Sequence, residues 1–285
     1  MGRLHLFEFH DLVWFPWMWR EFLTDFLSFF AGAFRPYSCV ASVLAAALQE
    51  VGANRVVDLC SGAGQPVISI APALREGGVS GLEIVLTDRY PHVAAWTALA
   101  DTAEVPVSFE TAPVDALDVP ENLTGFRTLF TSFHHFAPQK ARKILADAVK
   151  KNQGIGIFEY TERNWRLWTV PVLMIPPLVW VSTPFIRPFS WRRLVWTYLL
   201  PVVPAVAMWD GFVSCLRTYS VEELRGLVEG ADGDRYRWTI GQVESRWTSR
   251  VTFAVGVPSH GAATASEDTL RDKRAREPAS SERCC

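Results

Sequence analysis

The sequence is short of the features that mark a disulfide scaffold or a zinc module. Its five cysteines, Cys39, Cys60, Cys215, Cys284 and Cys285, form no CxxC pair and have no histidines at zinc-ligand spacing, so a reducing compartment is expected. The terminal Cys284 and Cys285 alone assign no lipid anchor. An excess of charge is also missing. The net charge is -2, the pI is near 6.3, and no basic stripe interleaves with aromatics, which excludes a nucleic-acid surface and leaves a small molecule as the expected partner. The N-terminal stretch lacks a small-residue cleavage site, and Glu8, His10 and Asp11 interrupt its apolar run, so a secretory signal is not expected. A cytoplasmic protein fits these absences. What the chain does have is apolar mass: 49% of 285 residues, with 12 Trp and 18 Phe, enough for a large core and for aromatic residues placed outside it.

Periodicity organises the middle of the chain. Val40, Val43, Leu44, Ala47, Leu48 and Val51 recur at helical steps and the helix ends at Gly52. Arg55 to Cys60 (RVVDLC) then reads as a buried strand, SGAGQP as a glycine-rich turn, and Val67 to Leu74 as a helix. Further strands are predicted at Leu82 to Thr87, Val107 to Glu110, Arg127 to Ser132 and Gly154 to Tyr160, with helices at Ala94 to Thr102 and Pro138 to Lys151. Alternating strands and helices imply parallel strands joined by right-handed crossovers, with a ligand site at the strands' carboxyl ends. SVEEL, from Ser220, offers a capping box, and the runs Tyr236 to Val243 and Arg250 to Val257 suit a closing antiparallel hairpin.

Several residues fall where that ligand site must be. Asp58 ends the first strand, and Gly62 and Gly64 let a ligand approach the next turn closely. Asp88 ends the second strand, where a carboxylate can accept two ribose hydroxyls; a solvated loop Asp is the plainer role. Asp115 follows the third strand and Asp118 is its solvated neighbour. The fourth strand runs into LFTSFHHFAP, which places His134 and His135 together, and an imidazole with a free pKa of ~6.5 is a competent base. Helix capping or packing is the plainer role for either histidine. Glu159 and Glu162 flank the fifth strand's end, within reach of Arg163, and Asp210, Arg217 and Tyr219 follow in MWDGFVSCLRTYS, where an Asp210 to Arg217 ion pair fixing the loop is expected.

VVDLCSGAGQP resembles motif I of the class I S-adenosylmethionine-dependent methyltransferases, and LFTSFHHFAP resembles the HH…P segment that many small-molecule methyltransferases carry after their fourth strand. The resemblance spans Val51 to Tyr160, with weaker support from Ser220 to Val257. It implies an α/β, Rossmann-like methyltransferase fold: a mostly parallel seven-stranded sheet with an apolar insertion after the fifth strand. It implies S-adenosylmethionine as cofactor, held at its methionine end by Asp58, Ser61, Gly62 and Gly64, at its ribose by Asp88, at its adenine by Asp115 and Ala116, with Ser132 also in the cofactor site. His134 or His135 would face an oxygen nucleophile, Glu159 would shape the acceptor pocket, and no metal is required. One departure is Cys60, which stands where the family has its first glycine.

Residues 165–209 are crowded with Trp, Leu, Val and Pro, and charges occur only at Arg166, Arg187, Arg192 and Arg193. Leu167 to Phe185 approaches the ~20 residues of a spanning helix, but seven prolines punctuate the segment, which suits an interfacial hairpin or a lid better than two spans. As a lid it would pack on the aromatic segment Trp14 to Phe34, and either arrangement suggests an apolar acceptor. The expected organisation is therefore 1–35 as lid or membrane-facing segment, 36–259 as the methyltransferase domain carrying the insertion, and 260–285 as a disordered tail. Two rival readings are a membrane-associated binding protein without catalysis and a nicotinamide-dependent oxidoreductase; the turn Cys60 to Gln65 lacks the third glycine that the latter needs.

Overall fold

The computed structural model describes residues 2–164, 169–230, 236–246 and 250–259, so the expected tail, 260–285, lies outside the described residues. Strands β1 (Arg55–Asp58), β2 (Glu83–Leu86), β3 (Val107–Phe109), β4 (Phe126–Phe130), β5 (Ile155–Glu159), β6 (Tyr236–Glu244) and β7 (Arg250–Pro258) form one sheet in the order β3-β2-β1-β4-β5-β7-β6. The first five are parallel, and β7 enters antiparallel between β5 and β6. The strand order reverses between β1 and β4, which opens a crevice at their carboxyl ends.

Alternation along each strand splits the core into two layers. Val56, Ile84, Phe126 and Phe158 face helices α2 (Ala41–Glu50) and α3 (Gln65–Glu76), while Val57, Val85, Leu129 and Ile157 face α5 (Pro138–Lys150) and α9 (Val221–Val228). Helix α4 (Val93–Thr102) completes the first layer through the fully buried Trp96. Each wholly buried aliphatic side chain here contributes roughly 1.5–3 kcal/mol. The capping box forms as expected: Ser220 Oγ accepts from Glu223 N, and Glu223 accepts from Ser220 N.

A third cluster sits off the sheet. Helix α1 (Trp17–Phe34) packs Phe22, Leu23 and Phe26 against Val179 of α6 (Thr169–Ser182), Ile186, and Val203, Val206 and Ala207 of α8 (Val202–Arg217). Short helix α7 (Trp191–Leu194) joins the two sides through a buried ion pair, Arg193 with Asp25 of α1. The insertion does not end at residue 209, because α8 continues unbroken to Arg217 and carries the apolar segment directly into the site. Among the described residues no single helix is long and apolar enough to cross a membrane; the pairs Trp17–Phe34 with Ser38–Glu50 and Trp191–Leu199 with Val202–Arg217 pass only when taken together across bends of 65° and 76°.

Candidate active site

The turn after β1 is built from left-handed residues. Cys60, Gly62 and Gly64 have φ of 55°, 54° and 86°, and a Cβ on Gly64 would stand 2.7 Å from Leu86 Cδ1. Cys60 accepts the strain that a glycine would avoid, a cost of roughly 1 kcal/mol. Gly62 N donates to Asp88 Oδ2 at 2.9 Å, Tyr90 N donates to Asp88 Oδ1 at 2.8 Å, and Trp96 Nε1 donates to Gly62 O at 2.8 Å. Ser61 Oγ donates to Asp58 O at 2.9 Å and accepts from Thr87 N at 3.2 Å, so Ser61 locks the ends of β1 and β2 together.

Two carboxylates face this turn without a salt-bridge partner among the described residues. Burial pushes Asp58 up to about 7 although Thr128 Oγ1 and Ser61 both hydrogen-bond to it, and burial also raises Asp88 against its backbone donors. The loop after β3 is tied to β2 by Val114 N donating to Asp88 O at 2.9 Å, which brings Asp115 and Ala116 to the same end. Asp115 is exposed and its Oδ1 accepts from Leu117 N, while Ala116 is buried. Asp118 is solvated, as expected, and lies 3.5 Å from Lys151. Ser132 is buried at the end of β4, and its Oγ has no hydrogen-bond partner among the described residues.

The histidine pair follows β4 in a 3-10 turn, Phe133–His135, with ring centroids 4.4 Å apart. His134 is 1% exposed, and its Nδ1 lies 2.8 Å from Glu159 Oε2 at the end of β5. Glu159 Oε1 also accepts from Phe133 N at 2.8 Å and His134 N at 3.2 Å. Burial alone would raise Glu159, but His134 and these donors outweigh it and hold the carboxyl below its usual range. A carboxylate at Glu159 fixes the proton on His134 Nδ1 and turns the Nε2 lone pair away from the sheet. His135 would be lowered by burial, yet Glu8 and Asp11 push it up to about 9; its Nδ1 lies 2.7 Å from Asp11 Oδ1.

The residues that cover the histidines were missed in the sequence. Residues 3–12 form a strap: Arg3 donates to His134 O at 2.8 Å and Phe136 O at 3.0 Å, and its guanidinium lies over the Tyr219 ring. Glu8 is 2% exposed and lies 3.8 Å from His134 Nε2. The expected Asp210 to Arg217 pair does not form. Arg217 instead meets Asp11 at 2.6 Å and Glu8 at 3.1 Å, while Asp210 accepts from Phe9 N and His10 N, because the strap offers α8 better-placed partners. Arg163 pairs with Glu223 at 2.9 Å, away from Glu159. The available signal was a cluster of ionisable residues, Glu8, His10 and Asp11, inside an aromatic run; nothing local said what they face.

All this places Asp58, Ser61, Gly62, Gly64, Asp88, Asp115, Ala116, Ser132, His134, His135 and Glu159 around the carboxyl ends of β1, β2, β4 and β5. Burial pushes the Cys60 thiol well up, and the charges of Asp88, Asp58, Asp115 and Asp11 add to it, which links the two halves. The sequence matches no protein-family model and no curated protein. The structure is similar to that of the plantazolicin methyltransferase BpumL in complex with SAH, with 10% sequence identity and a TM-score of 0.51 over 84% of this chain and 89% of that chain. The fold is that of a class I methyltransferase. An O-methyltransferase family protein from Burkholderia thailandensis (15% identity, TM-score 0.42, 76% of this chain and 54% of that chain) and an O-methyltransferase family 2 protein from Planctomyces limnophilus in complex with apigenin (15%, 0.44, 71% and 49%) also match. The chain spans about half the length of these two. In open α/β sheets ligands bind where the strand order reverses, and both clusters described above stand at that end of the sheet.

Proposed function

We propose that the protein is an S-adenosylmethionine-dependent methyltransferase acting on the oxygen of a small, apolar acceptor, with His134 as general base. The observation that carries this reading is the hydrogen bond between His134 Nδ1 and an ionised Glu159, set beside the Asp58 to Gly64 turn. The site fits the cofactor. Two buried carboxylates without a cationic partner, Asp58 and Asp88, suit a ligand carrying ammonium and sulfonium charge, and the unpartnered Ser132 Oγ offers one more contact. The cofactor supplies a methyl group on a cationic sulfur, poised for in-line displacement.

The chain's own part is to position and to move one proton. Asp58 and the turn hold the methionine end, Asp88 the ribose, and Asp115 with Ala116 the adenine. During methylation the acceptor's proton would pass to His134 Nε2. His135, a cation at neutral pH, is not the base. The strap covers His134, so acceptor entry requires residues 3–12 to move aside.

We also infer a peripheral membrane contact, on the cytoplasmic side, through the insertion. Val181, Phe185, Phe189, Trp191 and Leu199 are exposed together, with Arg187 and Arg192 among them, the mixture that suits an anionic lipid surface. Such a surface would deliver an apolar acceptor. Calorimetric titration with S-adenosylmethionine and S-adenosylhomocysteine tests the enzyme reading: saturable binding, lost in Asp88→Ala, supports it, and no binding by folded protein overturns it. Co-sedimentation with anionic vesicles, abolished in Phe185→Asp/Trp191→Asp, tests the membrane contact; equal recovery of both proteins would sink it.

A further inference from the structure

The strap brings a buried carboxylate to the histidine pair, and the donors then stand as metal ligands do. A carboxylate oxygen of Glu8 and a ring nitrogen each of His134 and His135 all lie within 4.8 Å of one another. Glu8 Oε1 is 3.8 Å from His134 Nε2, and Glu8 Oε2 is 3.5 Å from His135 Nδ1. These separations are too long for hydrogen bonds. They approach the ~3.3 Å edge between N and O donors around an ion held tetrahedrally at ~2.0–2.1 Å.

Among the described residues, Glu8 Oε1 has only an ion-pair contact, with Arg217, and His134 Nε2 is an orphan. Glu8 and His134 are 2% and 1% exposed, and neither Glu8 Oε1 nor His134 Nε2 has a hydrogen-bond partner among the described residues. Leaving a buried polar atom unsatisfied costs about 1–3 kcal/mol, so a third party between them is favoured. The surroundings suit a cation. Glu159 fixes the His134 Nδ1 proton and aims Nε2 at Glu8, the arrangement in which a carboxylate orients a metal-binding imidazole. Arg217 Nη1 lies 3.1 Å from Glu8 Oε1, but a carboxylate oxygen has two lone pairs, and a ligating carboxylate is usually supported by an outer hydrogen-bond donor. The carboxylates touching the two imidazoles are Glu8, Asp11 and Glu159, against the single guanidinium of Arg217 in ion-pair range.

We propose that Glu8, His134 and His135 form a divalent-metal site of the zinc type, and that an ion bound there silences the enzyme by taking the His134 Nε2 lone pair. The inhibitory part rests on the reading of His134 as base; the site itself does not. Release of the ion frees Nε2 for the acceptor's proton.

The test uses the full chain with Cys284→Ser and Cys285→Ser, so that the terminal thiols cannot bind the probe. The chelator-stripped protein is titrated with Co2+, read by visible d–d absorption, and with Zn2+, read by calorimetry and Tm. Saturable one-to-one binding is expected, with a tetrahedral cobalt spectrum and a raised Tm. Glu8→Gln should weaken binding by about tenfold or more, with cofactor affinity unchanged. His135→Gln, at a less buried position, should do the same and guards against a misfolded Glu8 variant. No saturable binding by the folded chain, or equal binding by the parent and both variants, overturns the site. Because the readout is metal binding and not turnover, a chain that binds cobalt but no S-adenosylmethionine would overturn the enzyme reading alone.

Discussion

The sheet and the cap over it are held together by different means. From Arg55 to Glu159 the chain satisfies itself locally: apolar residues alternate along short strands, each strand pairs with its neighbours, and each helix covers the strands beside it. The cap, from the strap through α1 and from α6 to Arg217, depends on contacts between residues far apart in sequence, such as Asp25 with Arg193 and Glu8 with Arg217. The sheet is a packing solution, and the cap adds buried ion pairs to its own apolar cluster while leaving much apolar surface exposed. The candidate site lies where the two meet, since the sheet supplies His134 and Glu159 and the cap supplies Glu8, Asp11 and Arg217.

The sharpest way to separate the two is at that junction. His134→Ala removes the proposed base and should lower turnover by about 10²–10⁴-fold with cofactor affinity unchanged, measured once an acceptor is found. An affinity loss as large as the turnover loss would show that His134 serves cofactor binding. Glu159→Gln should lower turnover too and flatten its pH profile, because a neutral amide no longer fixes the imidazole proton.

Next in size is a break inside the cap. Asp25→Ala leaves the Arg193 guanidinium buried without its counter-ion and should cost about 3–5 kcal/mol of stability by urea denaturation. Asp25→Leu with Arg193→Met should recover most of that loss, since both charges then leave together. Full stability in Asp25→Ala would mean that α1 is held by its aromatic packing alone.

The sheet side has its own pH signature. Burial raises Asp58 from the usual carboxylate value of 3.8 to about 7, so the folded chain keeps a proton that the unfolded chain has lost. Its favourable share is complete below the unfolded value, falls as pH rises through that window, and is gone above about 7. Without cofactor, the Tm should therefore decline between roughly pH 4 and 7, and Asp58→Asn should remove that part of the decline. A variant with the same pH dependence as the parent would contradict the assignment.

Local satisfaction explains what could be read in advance. The strand positions, the hairpin, the Ser220 capping box and the site residues from Asp58 to Glu159 depend on neighbours or on short-range period, and the structure brings those residues to one end of the sheet. The strap was illegible because its partners lie more than a hundred residues away: Arg3 with His134, Glu8 with Arg217. A helix period in 165–209 was likewise hidden by uniform apolarity, so no helix was expected across the 209 bound, where α8 runs on to Arg217.

The smallest expected effect tests the sheet at its one local misfit. Cys60 sits at φ 55°, where an L-residue is strained and the methyltransferase motif has glycine. Cys60→Gly relieves that strain but gives the unfolded chain more freedom, two terms of roughly 1 kcal/mol each with opposite sign. The thiol decides between them: Cys60 is only partly exposed, and four carboxylates push its ionisation well up, so it stays a neutral, packed side chain at neutral pH. Near-equal stability is therefore expected by urea denaturation, and tighter cofactor binding by calorimetry, because the turn no longer has to be held in a strained form. A loss above about 2 kcal/mol would mean that the thiol's packing outweighs the backbone strain, making Cys60 a core residue of this branch rather than a replaced glycine.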